Sequence, residues 1–222
     1  SRKEDVELIV RAAKEHHFIG VFVLPCFIAY AKQMLEGEPG ILLGGTVGFP
    51  SGASTTASKT FEAEELLGFG CHELDMVINI GKLKSGLYHE VETDIRTIVE
   101  IAGSTPVKVI LEVALLTDAE IQDGAKIILN SGARFVKTGT GWMGATSYEH
   151  IHLIKEAVGD HIQLKVAGGV RDLRRRHHAG FANVPHGWQC AGRGARVGGR
   201  DVACGRADPV QSGDPALQEL AR

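Results

Sequence analysis

The sequence predicts an α/β protein, a parallel sheet of repeated βα units closed into a (β/α)8 barrel. Three observations carry that prediction. From Gly20 onward short β-rich runs alternate with longer amphipathic stretches. The later β-runs begin about 28 to 35 residues apart, the size of one βα unit. Polar residues recur at matching phase on three of the runs, so they converge on one interior. A doubly wound sheet also fits the alternation. The convergence favours the barrel, whose alternate strand residues point inward and whose functional groups gather toward strand C-terminal ends.

The elements follow in order. "KEDVELIVRAAKEHH" (3–17) reads as a helix ahead of the first strand. The strand candidates are "GVFVL" (20–24), "ILLGGTVGF" (41–49), "HELDMVINI" (72–80), "VKVILEV" (107–113), "RFVKTGT" (134–140) and "QLKVAGG" (163–169). Between them lie helical patterns at 57–70, 91–103, 118–132 and 147–160. Six strands are visible, and one more at each end would make eight. Alternation puts Asp75, Val77 and Asn79 on one face, Phe135, Lys137 and Gly139 on another, and Gln163, Lys165 and Ala167 on a third.

Lys137 and Lys165 are 28 residues apart, so they fall on neighbouring parallel strands at similar height. Desolvation and a nearby like charge both favour a neutral amine. A neutral lysine amine attacks carbonyls to form a Schiff base. Asp75 adds a carboxylate that can hold a proton or pair with the lysine that stays charged. Lys108, at the start of its strand, is expected to be a snorkelling surface residue. The adjacent glycines of "AGGV" (167–170) suit a backbone anion site, since barrels often hold phosphate on the loops after strands seven and eight.

The bulk numbers narrow the partner. Lys+Arg 24 against Asp+Glu 27 gives a net charge of -3, which offers no basic field for nucleic acid or a membrane surface. A small-molecule substrate is expected. The four cysteines form no CxxC pair, which fits a reducing, cytoplasmic setting without disulfides. No apolar run reaches the length of a membrane span. His16-His17, His150, His152 and His177-His178 lack zinc-like spacing, so no metal is expected. Neither a GxGxxG nor a GxxxxGK[ST] motif occurs.

The stretches "TVGFPSGASTTASKTFEAEELLGFGCHELDMVINIGKLKSG", "DIRTIVE", "VKVILEVALLTDAEI", "SGARFVKTGTG" and "LKVAGGVRDL" resemble the deoxyribose-phosphate aldolases, class I aldolases of the TIM-barrel fold. The likeness spans roughly residues 5 to 173, and the ordered set "DMVIN", "FVKTGTG" and "K.AGG" is highly specific. The resemblance implies a lyase of deoxyribonucleotide catabolism. It would reversibly cleave 2-deoxy-D-ribose 5-phosphate to acetaldehyde and D-glyceraldehyde 3-phosphate, without a cofactor. On the matching motifs Lys137 would form the Schiff base, Lys165 would lower its pKa and Asp75 would help relay protons. Thr140 and Gly141 would border the substrate, and Gly168 and Gly169 would meet the phosphate through their backbone.

The sequence also departs from that pattern. Phe22 stands where some members have a cysteine, and "TGTGWMGATS" is a shortened, unusual loop. The family's first strand, with its Asp-x-Thr-type segment, would lie before Ser1. Residues 174–222 hold eight arginines and eight glycines with no βα periodicity, where the family continues with a helix, an eighth strand and a Gly/Ser phosphate loop. The expected organisation is therefore an incomplete barrel domain over 1–173 and an atypical tail over 174–222. Two readings of the tail stand side by side, a reading-frame shift near Leu173 and a basic appendage for an acidic partner. A related class I aldolase with another carbonyl substrate, a non-catalytic remnant, and a homo-oligomer also stay open. Resequencing around codon 173 tests the first reading of the tail: an uninterrupted frame through codon 222 removes the shift.

Overall fold

Among the described residues, seven parallel strands stand side by side in the order in which they occur along the chain, forming one curled sheet. The computed structural model describes residues 2–169 together with Gln189 and Cys190. The strands are β1 (Gly20–Val23), β2 (Leu42–Val47), β3 (Glu73–Val77), β4 (Val107–Ile110), β5 (Phe135–Lys137), β6 (Gln163–Val166) and β7 (Gln189–Cys190). A doubly wound sheet reverses its strand order at a switch point. Here the order never reverses, so the barrel-type winding holds over the described strands.

The helices that cover the sheet are α1 (Lys3–Glu15), α2 (Ile28–Met34), α3 (Thr56–Gly68), α4 (Ile80–Lys84), α5 (Tyr88–Ala102), α6 (Asp118–Asn130) and α7 (Tyr148–Val158). Their apolar stripes follow the helical period. In α5 the buried positions are Val91, Asp94, Ile95, Ile98 and Ala102. Caps fix where they start: the Thr117 side chain accepts from the Glu120 N–H at 3.4 Å, and the Glu120 carboxylate reaches back to the Thr117 N–H at 2.8 Å. One parity of each strand, such as Val109 and Val136, packs in the core with the helices. The other parity carries the polar groups.

The predicted strands run too long at their C-terminal ends. "HELDMVINI" stops as a strand at Val77, and Asn79 leaves the inward face to cap α4, accepting from the Lys82 N–H at 3.1 Å. The helices α2 and α4 were not anticipated, because each is too short to show a period against its flanks. A strand also lies inside the tail: Gln189 and Cys190 continue the parallel ladder, opposite Lys165 and Val166. Two residues carry no alternation, so pattern alone could not find it. The rest of the tail, where the family's phosphate loop would fall, and any strand before Ser1 lie outside the described residues.

A second set of buried charges ties helices to the sheet near the end of β3. Lys59 of α3 is fully buried, donates to the Asp94 carboxylate of α5 at 2.6 Å and to the Val77 carbonyl at 3.1 Å. Thr56 donates to the other Asp94 oxygen at 2.7 Å. Burial pulls the Lys59 amine below its ordinary pKa, and Asp94 opposes that shift. The Lys59 stem lies under the turn after β2: a Cβ at Gly48 would come within 2.8 Å of it. Breaking a buried pair leaves an uncompensated charge, which costs about 3–5 kcal/mol. Lys59→Ala and Lys59→Met both orphan Asp94, so both are expected to lose about that much in urea unfolding at pH 7, Lys59→Ala somewhat more for the cavity it leaves. A loss confined to Lys59→Ala would refute the ion pair as the cause.

Candidate active site

The inward face of the sheet gathers three lysines around one carboxylate. Register sets this up, because Asp75 lies opposite Thr46 and Lys108, while Lys137 lies opposite Ile110 and Lys165. Lys137 bends back to Asp75, donating to its Oδ2 at 2.5 Å. The Lys108 ammonium is 3.6 Å from Asp75 Oδ1 and also bonds Glu73. Asp75 is buried, and Lys165 is only 4 % exposed. Lys137 keeps 15 % of its side-chain surface, so of the partners it is the one a ligand can reach.

Burial is the strongest single influence on the Asp75 carboxyl and pushes its pKa up. The charges of Lys137 and Lys108, the hydrogen bond from Lys137 and the charge of Lys165 together outweigh it, so the group is held below the ordinary carboxylate value. Asp75 is an anion at neutral pH. It holds the surrounding ammonium groups by the same attraction that keeps it ionised.

Lys108 corrects an expectation. It is not a surface residue but fully buried, with its ammonium 4.8 Å from the Phe22 ring centroid and 5.4 Å from that of Phe135. Its side chain enters the interior because Lys108 shares the inward parity with Ile110, and its charge is offset by Glu73 and Asp75. The signal was present in the sequence: Lys108 precedes Lys137 by 29 residues, one βα repeat. Phe22 also lies 5.7 Å from Lys137. The ring has room because Gly44 opposite lacks a side chain; a Cβ there would come within 2.1 Å of it.

Above the lysines, the chain ends of β5 and β6 are knitted together. Thr138 Oγ1 accepts from the Ala167 N–H at 2.9 Å and donates to the Ala167 carbonyl at 2.8 Å. Thr146 Oγ1 donates to the same carbonyl at 2.6 Å, and its N–H donates to the Gly168 carbonyl at 3.1 Å. Gly168 and Gly169 both adopt positive φ, at 87° and 79°, which consecutive residues bearing a Cβ would resist. Gly141, at φ 82°, sits against Gly168: its missing Cβ would lie 3.4 Å from the Gly168 Cα. Thr140 Oγ1 accepts from the Trp142 N–H at 3.0 Å. The structure therefore brings Thr140, Gly141, Gly168 and Gly169 to one rim, above Lys137.

Sequence reasoning missed Glu73, Thr46, Thr138, Thr146 and Glu112. Thr46 is buried with its hydroxyl lacking a hydrogen-bond partner among the described residues. It could have been found by its phase, since it follows Gly44 by two on the inward parity of β2. Among the described residues no group of three or more His, Cys, Asp or Glu could hold a metal ion, and no helix is long and apolar enough to cross a membrane.

A parallel α/β sheet with an inward lysine pair beside a buried carboxylate presents amines of the kind that, when neutral, can add to a carbonyl carbon. Residues 1–207 match the DeoC/LacD family of aldolases, and the chain belongs to that family. It is 46% identical over 170 residues to a deoxyribose-phosphate aldolase of Rhizobium meliloti, covering 76% of this chain and 68% of the relative. It is 43% identical over 171 residues to the deoxyribose-phosphate aldolase of Staphylococcus carnosus, covering 77% of each. Among solved structures, the tetrameric deoxyribose phosphate aldolase of Aeropyrum pernix superposes with TM-score 0.72 at 28% identity, over 81% of this chain and 76% of that one. The aldolase QR15 superposes with TM-score 0.72 at 33% identity, over 78% and 77%.

The linkage of Asp75 sets a stability prediction. Its folded pKa is lowered, so its contribution is present above the unfolded value of about 3.9 and is lost as pH falls through the folded pKa. Asp75→Asn is expected to be about 3–5 kcal/mol less stable at pH 7, because buried lysines lose their counter-charge. The deficit should shrink as both proteins are taken below about pH 4. Urea unfolding at several pH values measures it, and an unchanged stability at pH 7 would remove Asp75 as the anchor of the cluster.

Proposed function

We propose that the protein cleaves 2-deoxy-D-ribose 5-phosphate reversibly to acetaldehyde and D-glyceraldehyde 3-phosphate, through a Schiff base on Lys137. The observation that carries this reading is the Lys137–Asp75 pair, the reachable amine of a buried charge cluster, with Lys165 on the adjoining strand. Relatives named deoxyribose-phosphate aldolase support the choice of substrate.

The Lys137 amine, once it has shed a proton, adds to the C1 aldehyde of the open sugar, and loss of water leaves a protonated imine. The C3 hydroxyl gives up its proton, the C2–C3 bond breaks, and the electron pair flows to the imine nitrogen. Glyceraldehyde 3-phosphate leaves, and an enamine stays on Lys137. Protonation at C2 and hydrolysis then release acetaldehyde and the amine. Lys165 supplies the like charge that favours shedding the first proton. Asp75 relays protons: when the enamine forms, the Lys137 nitrogen loses its charge, and Asp75 loses one of the cations that keep it ionised. Its affinity for a proton rises as the C3 hydroxyl proton must be held.

The rim residues take the remaining parts of the sugar phosphate. Thr140 and Gly141 border the chain of carbons, and the N–H groups of Gly168 and Gly169 meet the phosphate, in the positive-φ geometry that suits anions. The strands are read as part of a (β/α)8 barrel, with the sequential order of β1 to β7 in support. The 1–173 portion acts as an incomplete barrel domain, and the otherwise atypical 174–222 portion adds β7 to its sheet. A homo-oligomeric assembly is supported by the tetrameric Aeropyrum pernix relative.

Borohydride reduction in the presence of acetaldehyde tests the nucleophile. Peptide mass mapping is expected to find an ethyl group on Lys137, and Lys137→Leu to lose both the label and at least about a thousandfold in turnover. A label on another lysine, or one that persists in Lys137→Leu, would overturn the assignment. Deoxyribose without its phosphate is expected to show a raised KM with the same labelled residue.

A further inference from the structure

Glu112 follows β4 and is fully buried, yet it holds the left-handed conformation, with φ 57° and ψ 56°. The other non-glycine residue with positive φ among those described, His17, is exposed. Glycine would adopt this conformation without strain. Strain that persists at a buried residue points to something the side chain does.

The bend directs the Glu112 side chain back across β5. Leu111 and Val113 donate their N–H groups to the carbonyls of Lys137 and Thr138, at 2.8 and 3.0 Å. Next along, Glu112 Oε2 accepts the Thr140 N–H at 3.0 Å, so a carboxylate extends the ladder where the backbone of β4 turns away. The other oxygen, Oε1, is buried without a hydrogen-bond partner among the described residues. It lies 3.2 Å from where a Gly139 Cβ would stand, so the carboxylate occupies that space. A strained backbone and a buried carboxyl group with one unpaired oxygen both weigh against glutamate here. What they accompany is the hold on Thr140.

We infer that Glu112 is a positioning residue for the aldol reaction: its carboxylate fixes Gly139, Thr140 and Gly141 at the rim above Lys137. The inference rests on the reading of Lys137 and Thr140 given under Proposed function. Glu112 does not touch the reacting carbons. It acts through the backbone of the segment that borders the substrate, by its bond to the Thr140 N–H.

Two variants of the full chain test it, Glu112→Gly and Glu112→Gln. Three readouts are used: kinetics with deoxyribose 5-phosphate, thermal unfolding, and hydrogen exchange at the Thr140 amide. Glu112→Gly relieves the backbone strain, so its unfolding temperature is expected to equal or exceed that of the parent. Its Thr140 amide loses protection, and KM rises about tenfold with a smaller change in kcat. Acetaldehyde, which has no phosphate end, still labels Lys137. Glu112→Gln retains an acceptor for the Thr140 N–H and is expected to restore protection and bring KM within about threefold of the parent. Unaltered protection and KM in Glu112→Gly would overturn the inference, as would Glu112→Gln losses matching those of Glu112→Gly. If Glu112→Gly does not fold, the KM of Glu112→Gln decides alone. A parent without turnover would sink the substrate reading instead, and Thr140 exchange would still judge this one.

Discussion

A buried carboxylate is stable as an anion only where cations surround it, and Asp75 has three. The dependence runs both ways, since Lys108, fully enclosed, has its ammonium between Asp75 and Glu73, and Lys137 is oriented by its bond to Asp75. Neighbouring parts of the interior fit around this cluster. Phe22 offers its ring face to two of the ammonium groups, and Gly44 gives that ring its space. The arrangement leaves one amine, that of Lys137, partly open to solvent and the rest enclosed.

Around this centre the scaffold uses polar ties at the places where strands end. Lys59 binds α3 and α5 to the last carbonyl of β3, two residues beyond Asp75. Thr138 and Thr146 clasp Ala167, and Glu112 reaches from the end of β4 to Thr140. These ties are short and charge-assisted or doubly bonded, so they set the rim more firmly than apolar packing would.

How much could be read beforehand differs by residue. The βα march and the facing of Asp75, Lys137 and Lys165 follow from a period of two and a repeat of 28 to 29 residues, and both are local quantities. Alternation continues formally through "MVINI" and puts Asn79 on the strand face, whereas the chain there has already turned to start α4. Sequence alone puts Lys108 at the surface, because a lysine at a strand start usually snorkels. Its burial depends on Glu73 and Asp75 being one strand away, and on two aromatic rings, which no local window contains. Glu112 carried no local signal at all, because its meaning lies in a backbone angle and in an amide 28 residues further on.

The amino-acid order by itself determined the class of fold, the strand that carries each amine and the parity that turns it inward, because periodicity acts between near neighbours. Tertiary structure alone decided which charges meet. Lys108 joins Asp75, Phe22 lies against the amines, and Glu112 bends back to Thr140 only once strands distant in sequence are set in register. Electrostatic and hydrogen-bond energies depend on distances of a few ångström, and those distances come into being when the sheet curls.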